Sequence, residues 1–327
     1  MATQIPYPVP GSHPFDNILN FRDVALFINH ATGQNLLRPG LLYRSARPDA
    51  ASDHDRTVLL NEVKLKTIID LRTKTELHEA KQKFASKSKT SGSLGPAAAG
   101  AGETAALPSH PIAKSSENTK DNEHAIPKTL RIEGIKYVEV DLNGKNYSNA
   151  LLKRLTFSQK TKLYALYVLG YRKEAISILG SNIMAARGLS GLAEDSLEHC
   201  GAEVKHFFTL LAERENYPVL AHCTQGKDRT GLTVLLVLML CGIPVEAIEA
   251  DYQVSERELE RERREKVVEI EGIGLPESFA DCEPGWAGKV GGWVEGRYRG
   301  VEKFLEGCGV GREVQGRVRE VLMVGVE

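Results

Sequence analysis

Neither sign of charge predominates in this chain: 42 Lys and Arg stand against 43 Asp and Glu over 327 residues, a formal net charge of −1. That balance leaves no electrostatic footprint for nucleic acid or an anionic membrane surface. Long apolar runs are also missing. The longest, Leu232 to Cys241, is broken by Thr233 and at about 1.5 Å per residue falls short of a bilayer about 30 Å thick. No stable membrane insertion is expected. The stretch Met1 to Pro10 has no basic segment followed by an apolar one, so no signal peptide is expected either. The expected location is the cytoplasm, with the nucleus accessible. Five cysteines, an odd number without framework spacing, exclude a secreted disulfide scaffold. No internal repeat is visible.

What is present is a globular composition, 42% hydrophobic and 26% charged, sufficient for a sizeable core. Residues 1–16, with Pro6, Pro8, Pro10 and Pro14, read as an extended arm. Residues 17–327 read as one domain. Strands are expected at Gly40–Ser45, Lys66–Arg72, Gly134–Asp141 and Tyr217–His222, and helices at 52–62, through most of 150–215, and from the end of the last strand to Leu240. Two further helices are expected around Phe304 and Val318–Met323. From Ala85 to Pro127 there is no aromatic residue, and Ser, Ala, Gly, Lys and Thr dominate; this stretch reads as a disordered insertion. The run Glu256–Lys266 is charged except at Leu259 and reads as a solvated helix face. Trp286 and Trp293 read as packing anchors in a Gly-rich loop. Strands alternating with helices give an α/β fold, a central, mainly parallel sheet flanked by helices.

The chemistry concentrates in His222-Cys223-Thr224-Gln225-Gly226-Lys227-Asp228-Arg229-Thr230-Gly231. A thiol at the carboxyl end of a buried strand lies where α/β sheets bind ligands. The N–H groups of 224–229 can curl into an anion nest, eased by Gly226, and a helix N-terminus adds partial positive charge. Such surroundings favour a thiolate. Arg229 can grip two phosphate oxygens in a fork, and Thr230 can hydrogen-bond the sulfur. A buried core cysteine is the ordinary fate of a thiol after an apolar strand. Gly at +3, Arg at +6 and Thr at +7 set Cys223 apart. No nearby Cys or His has metal-ligand spacing, and the nucleotide-binding Gly-x-x-x-x-Gly-Lys-Ser/Thr pattern is absent. The stretch specifies phosphoryl transfer to sulfur, with no metal or cofactor expected.

This loop resembles the His-Cys-x-x-Gly-x-x-Arg-Ser/Thr signature of Cys-based protein tyrosine phosphatases. With Lys227-Asp228-Arg229 it is similar to the atypical tyrosine/serine phosphatase family of fungi and bacteria, a branch with members that also act on phosphoinositides. Asn20-Phe21-Arg22-Asp23, Leu37-Arg38-Pro39-Gly40, Tyr43-Arg44-Ser45, Asp70-Leu71-Arg72 and Ala250-Asp251-Tyr252 resemble further blocks of that family. The resemblance implies a phosphocysteine intermediate, with Cys223 as nucleophile and Thr224, Gln225, Gly226, Lys227, Asp228, Arg229 and Thr230 around the phosphate. It also implies a phosphorylated protein or a phosphoinositide as substrate. For the general acid Asp141 ranks first, Asp228 second and Asp195, 28 residues before Cys223, third. A turn or cap role for Asp141 stands nearly level with catalysis. Lys227 divides evenly between a rim cation that recognises extra phosphates and a solvated surface lysine. Asp70 reads as the partner of a nearby Arg, and His222 as a brace for the loop.

Overall fold

The computed structural model describes residues 8–90 and 130–325. Five strands form one sheet in the order β1-β2-β5-β3-β4. They are β1 (Arg22–Asp23), β2 (Leu42–Ser45), β3 (Thr67–Asp70), β4 (Lys136–Glu139) and β5 (Val219–His222). Only the two-residue β1 runs antiparallel to its neighbour. β5 lies at the centre, with Ala221 between Arg44 of β2 and Ile69 of β3. The expected mainly parallel sheet is therefore present, and all four strands read from the sequence are in it.

Alternation along the strands divides the core. Ile69, Val219 and Ala221 face the larger cluster, built by α1 (Val24–Thr32) and by most helices after β4. Tyr43, Ile68, Tyr137 and Leu220 face the smaller one, with Val58, Leu59 and Leu77 from α2 (Asp53–Thr57), its π-helical continuation and α3 (Lys74–Thr90). Helices thus cover both faces. Asp23 caps α1 by accepting from the amides of Ala25 and Leu26, and Ser52 with Asp55 forms a capping box on α2. Between β4 and β5 run α4 (Lys145–Arg154), α5 (Phe157–Val168), α6 (Arg172–Leu179), α7 (Ala185–His199) and α8 (Gly201–Leu211). Then come α9 (Asp228–Leu240), α10 (Val245–Glu258), α11 (Arg263–Gly272), α12 (Trp286–Tyr298), α13 (Val301–Gly307) and α14 (Arg312–Leu322). Among the described residues no helix is long and apolar enough to cross a membrane.

Three expectations change. The proline-rich arm is not free where it is described: Val9 is buried in the larger cluster, and Gly11 accepts from the Asp23 amide. The insertion expected from Ala85 begins inside α3, which continues to Thr90; residues 91–127 lie outside the described residues. Trp286 and Trp293 sit on α12, not in a loop, although the helix contains four glycines. Trp286 is fully buried and stacks on Tyr252 with ring centroids 4.4 Å apart, so its anchoring role holds.

Candidate active site

β5 delivers Cys223 to the carboxyl edge of the sheet, where the chain turns through 224–227 into α9. Every carbonyl of that turn is drawn outward. Cys223 O meets Nδ1 of His222 at 3.0 Å, and Thr224 O accepts from the backbone amide and guanidinium of Arg47. Gln225 O accepts from Asn20 at 3.0 Å, and Gly226 O from Arg44 Nη2 at 2.6 Å. With those carbonyls engaged, the amides of 224–229 donate to no protein acceptor among the described residues, which leaves them available to an anion. Gly226 is required twice over: its φ is 68°, and a Cβ there would sit 2.1 Å from the Ser45 carbonyl oxygen. α9 starts at Asp228 without a side-chain cap, so its first amides also remain open to an anion.

Arg229 is buried beneath the loop and paired with Glu76 in the first turn of α3. Nη1 and Nη2 each donate to one Glu76 oxygen at 2.6 Å, and Nη1 also donates to Leu71 O. Three of the five guanidinium hydrogens are thus engaged, leaving the Nε–H and one Nη2–H, a fork that matches two phosphate oxygens. Glu76 also accepts from the Thr224 hydroxyl at 2.6 Å and from the amide and hydroxyl of Thr73. Burial works against its charge, but Arg229 and these donors outweigh it and hold the carboxyl down at about 2. Burial likewise opposes the Arg229 charge, and Glu76 and Cys223 raise its pKa above the ordinary guanidinium value. Glu76 escaped the sequence reading. The signal was there, since Thr73-x-x-Glu76 has the spacing of a capping box.

The candidate acids separate. Asp141 follows β4, and its Oδ1 is buried without a hydrogen-bond partner. Burial, with Lys74 opposing and Glu203 adding, pushes its carboxyl up to about 6. Asp228 lines the site cavity with its side chain half exposed, 3.7 Å from the Lys227 ammonium. Asp195 is held on α7 by Arg154 and Arg187 at 2.7 and 3.0 Å in an ion cluster. Of the three candidates Asp228 alone lines the cavity over Cys223; Asp141 lies just outside its lining, two residues before Asn143, which is part of it. Asp70 pairs with Arg72, as expected, and Arg72 continues to Asp49. His222 is fully buried and held neutral by that burial, consistent with a brace.

Two expectations fail at the loop. The Lys227 side chain has no exposed surface; its Nζ donates to the carbonyls of Phe279, Ala280 and Asp281 at 3.0, 3.2 and 2.6 Å. It is neither a rim cation nor a solvated lysine, because those three acceptors satisfy all its protons. The Thr230 hydroxyl is buried without any partner, so it does not hold the sulfur in this structure. Besides Arg229, the cation that lines the cavity is Lys266, from the run read as a solvated face, and it pairs with Glu269 at 3.2 Å. The cavity above Cys223 measures about 100 Å³, and Tyr147, Met184, Leu192, Ile270 and Phe279 are among its apolar walls.

The outer blocks converge behind the loop. Arg22 Nε lies 2.7 Å from Asp251, Arg44 bonds the other Asp251 oxygen, and Arg22 Nη1 reaches Asn20 at 2.5 Å. The same Asn20 and Arg44 hold the loop carbonyls.

A family model described as "Tyrosine phosphatase family" matches residues 13–324. The chain is similar to a "Tyrosine-protein phosphatase" of Nostoc commune, 28% identical over 157 residues, which cover 43% of this chain and 53% of that protein. It is also similar to the "Triple specificity protein phosphatase PtpB" of Mycobacterium tuberculosis, 27% identical over 130 residues, 35% of this chain and 46% of that one. The matches span about half the length of these relatives.

Proposed function

The chain belongs to the tyrosine phosphatase family, and on that premise we propose that it hydrolyses phosphomonoesters in the cytoplasm through a phosphocysteine intermediate, with phosphotyrosine protein as the leading substrate class. One observation carries the reading: in the turn after the thiol the amides of 224–229 are engaged by no protein acceptor among the described residues, beside an arginine with two donors unengaged. That cradle stabilises charge on the equatorial oxygens of a phosphoryl group in flight. The Cys223 thiolate attacks phosphorus, the ester P–O bond breaks, and the leaving oxygen takes the proton of Asp141. Water then attacks phosphorus, giving its proton to the Asp141 carboxylate as the S–P bond breaks; the thiolate and inorganic phosphate are regenerated.

Apolar walls suit an aryl leaving group, which favours phosphotyrosine. The phosphoinositide reading loses its main support here, because the Lys227 ammonium is occupied by three carbonyls. The name of the mycobacterial relative supports activity on more than one phosphorylated residue type. A silent phosphate-binding module would not need a thiol at the floor of the cradle. Cys223→Ser is expected to abolish turnover of a phosphotyrosine peptide while leaving phosphate binding largely intact, since an alcohol is hardly ionised at neutral pH. Full activity of that variant in the presence of EDTA would end the cysteine mechanism.

A further inference from the structure

Helix α5 has two apolar faces and the fold uses one. Leu163 is buried, and Leu166 and Tyr167 pack against the main core. On the other side Phe157, Tyr164 and Val168 follow one another at helical spacing and remain 86%, 38% and 79% exposed. The turn into α6 adds Leu169 at 69% and Tyr171 at 55%. These five are half of the large hydrophobic side chains exposed among the described residues, gathered in one hairpin rather than scattered.

The charge here is as uneven. Residues 142–173 contain Lys145, Lys153, Arg154, Lys160, Lys162, Arg172 and Lys173 and not one carboxylate, so the balance of the whole chain conceals a strongly basic segment. Arg154 is taken up by Asp195 and Lys145 opens α4; the others lie in the hairpin or just before it, with Lys160 Nζ donating to the Lys153 carbonyl at 3.2 Å. At about 100° per residue, Lys160 lies about 40° from one edge of the exposed stripe of α5, and Lys162 lies about 120° from the other edge, beyond Thr161, Ala165 and Ser158. An apolar stripe edged on one side by a cation, in a basic segment, is the composition of a helix that lies in a lipid headgroup region.

We propose that the α5–α6 hairpin is a docking surface for an anionic lipid bilayer. Phe157, Tyr164, Val168, Leu169 and Tyr171 enter the boundary between headgroups and acyl chains, while Lys153, Lys160, Arg172 and Lys173 meet lipid phosphates. A second copy of the chain is a poor occupant, since a two-fold contact through this face would set cations against cations. A peptide is a poor one too, because these side chains stand out from the surface instead of lining a groove. The hairpin continues through Gly180–Met184 into α7, and Met184 and Leu189 line the cavity over Cys223. Docking therefore brings the active-site wall close to the membrane plane.

The test is flotation of the full chain with vesicles of phosphatidylcholine alone or with about 30% phosphatidylserine, enough to give a negative surface potential. Binding is expected only to the anionic vesicles, weakening as salt rises. Val168→Asp with Leu169→Asp is expected to abolish it, and Lys173→Ala to weaken it about fivefold. Hydrolysis of a small soluble aryl phosphate and Tm should not change in these variants, and Cys223→Ser should bind like the unaltered chain, which separates docking from catalysis. Equal binding to both vesicle types, no binding to the anionic ones, or undiminished binding by the Asp variant overturns the proposal. Self-association abolished by the same two substitutions, without vesicle binding, overturns it as well.

Discussion

At Asp141 the carboxyl stays protonated up to about pH 6 because burial disfavours its charge. That suits an acid which must carry a proton near neutrality and surrender it to a basic leaving group. Asp141→Asn is accordingly expected to slow a tyrosyl or alkyl phosphate by about 10²–10⁴ and an activated nitrophenyl ester much less, flattening the basic limb of the pH–rate profile. Asp228→Asn, at the cavity rim, is expected to slow all substrates alike. Plotting kcat against leaving-group pKa for both variants checks this, and a steep slope for Asp228→Asn with an unaltered one for Asp141→Asn exchanges the assignments. Stability gives an independent reading. The folded pKa of Asp141 lies above its unfolded value of about 3.9, so its contribution is complete below that pH and is lost as pH rises through about 6. Asp141→Asn should therefore raise Tm near about pH 8 relative to the unaltered chain, with the gain vanishing below about pH 4. Cys223 and Arg229 were legible in the sequence because one short stretch holds both. Glu76 was legible only as a helix cap; its pairing with Arg229 was not, because that depends on α3 entering beside a loop far away in the chain.

The turn between β5 and α9 is held by its neighbours more than by its own bonds, and Lys227 ties it to the segment before α12. Three carbonyls from Phe279 to Asp281 share that one ammonium. Lys227→Met keeps the aliphatic stem but leaves those acceptors buried without a donor, at a cost of about 1–3 kcal/mol. The expected result is a lowered denaturant midpoint and slower hydrolysis of every substrate. Loss confined to multiply phosphorylated lipids would instead restore the headgroup reading. Sequence could not decide this position, since nothing local says which later segment covers a lysine. The strands were readable for the opposite reason: Ile68, Ile69 and Val219, Leu220 are buried on both sheet faces and form compact apolar runs. β1, two residues long, gave no pattern to read. α12 was mistaken for a loop because its glycines suggest one; in the fold Gly291 lies against Met239 of α9, and packing overrides propensity.

Across the molecule, the Arg22–Asp251–Arg44 cluster joins the first two strands to α10 behind the loop. Its charges are almost completely buried, so removing the shared carboxylate strands two guanidinium groups. Asp251→Asn is expected to cost about 3–5 kcal/mol, read from chemical denaturation, and to loosen the loop that Arg44 holds. A cost below about 1 kcal/mol would mean that solvent or another carboxylate replaces Asp251. The same cluster bears on how the protein is made. Arg22 leaves the ribosome 229 residues ahead of Asp251, which at about 5–20 residues per second is roughly 11 to 46 seconds. A nascent chain that has already exposed Cys223 still lacks the carboxylate that seats both arginines. The cradle therefore closes only after most of the chain has been synthesised, and a ribosome stalled between the two would hold a thiol without an anion site around it.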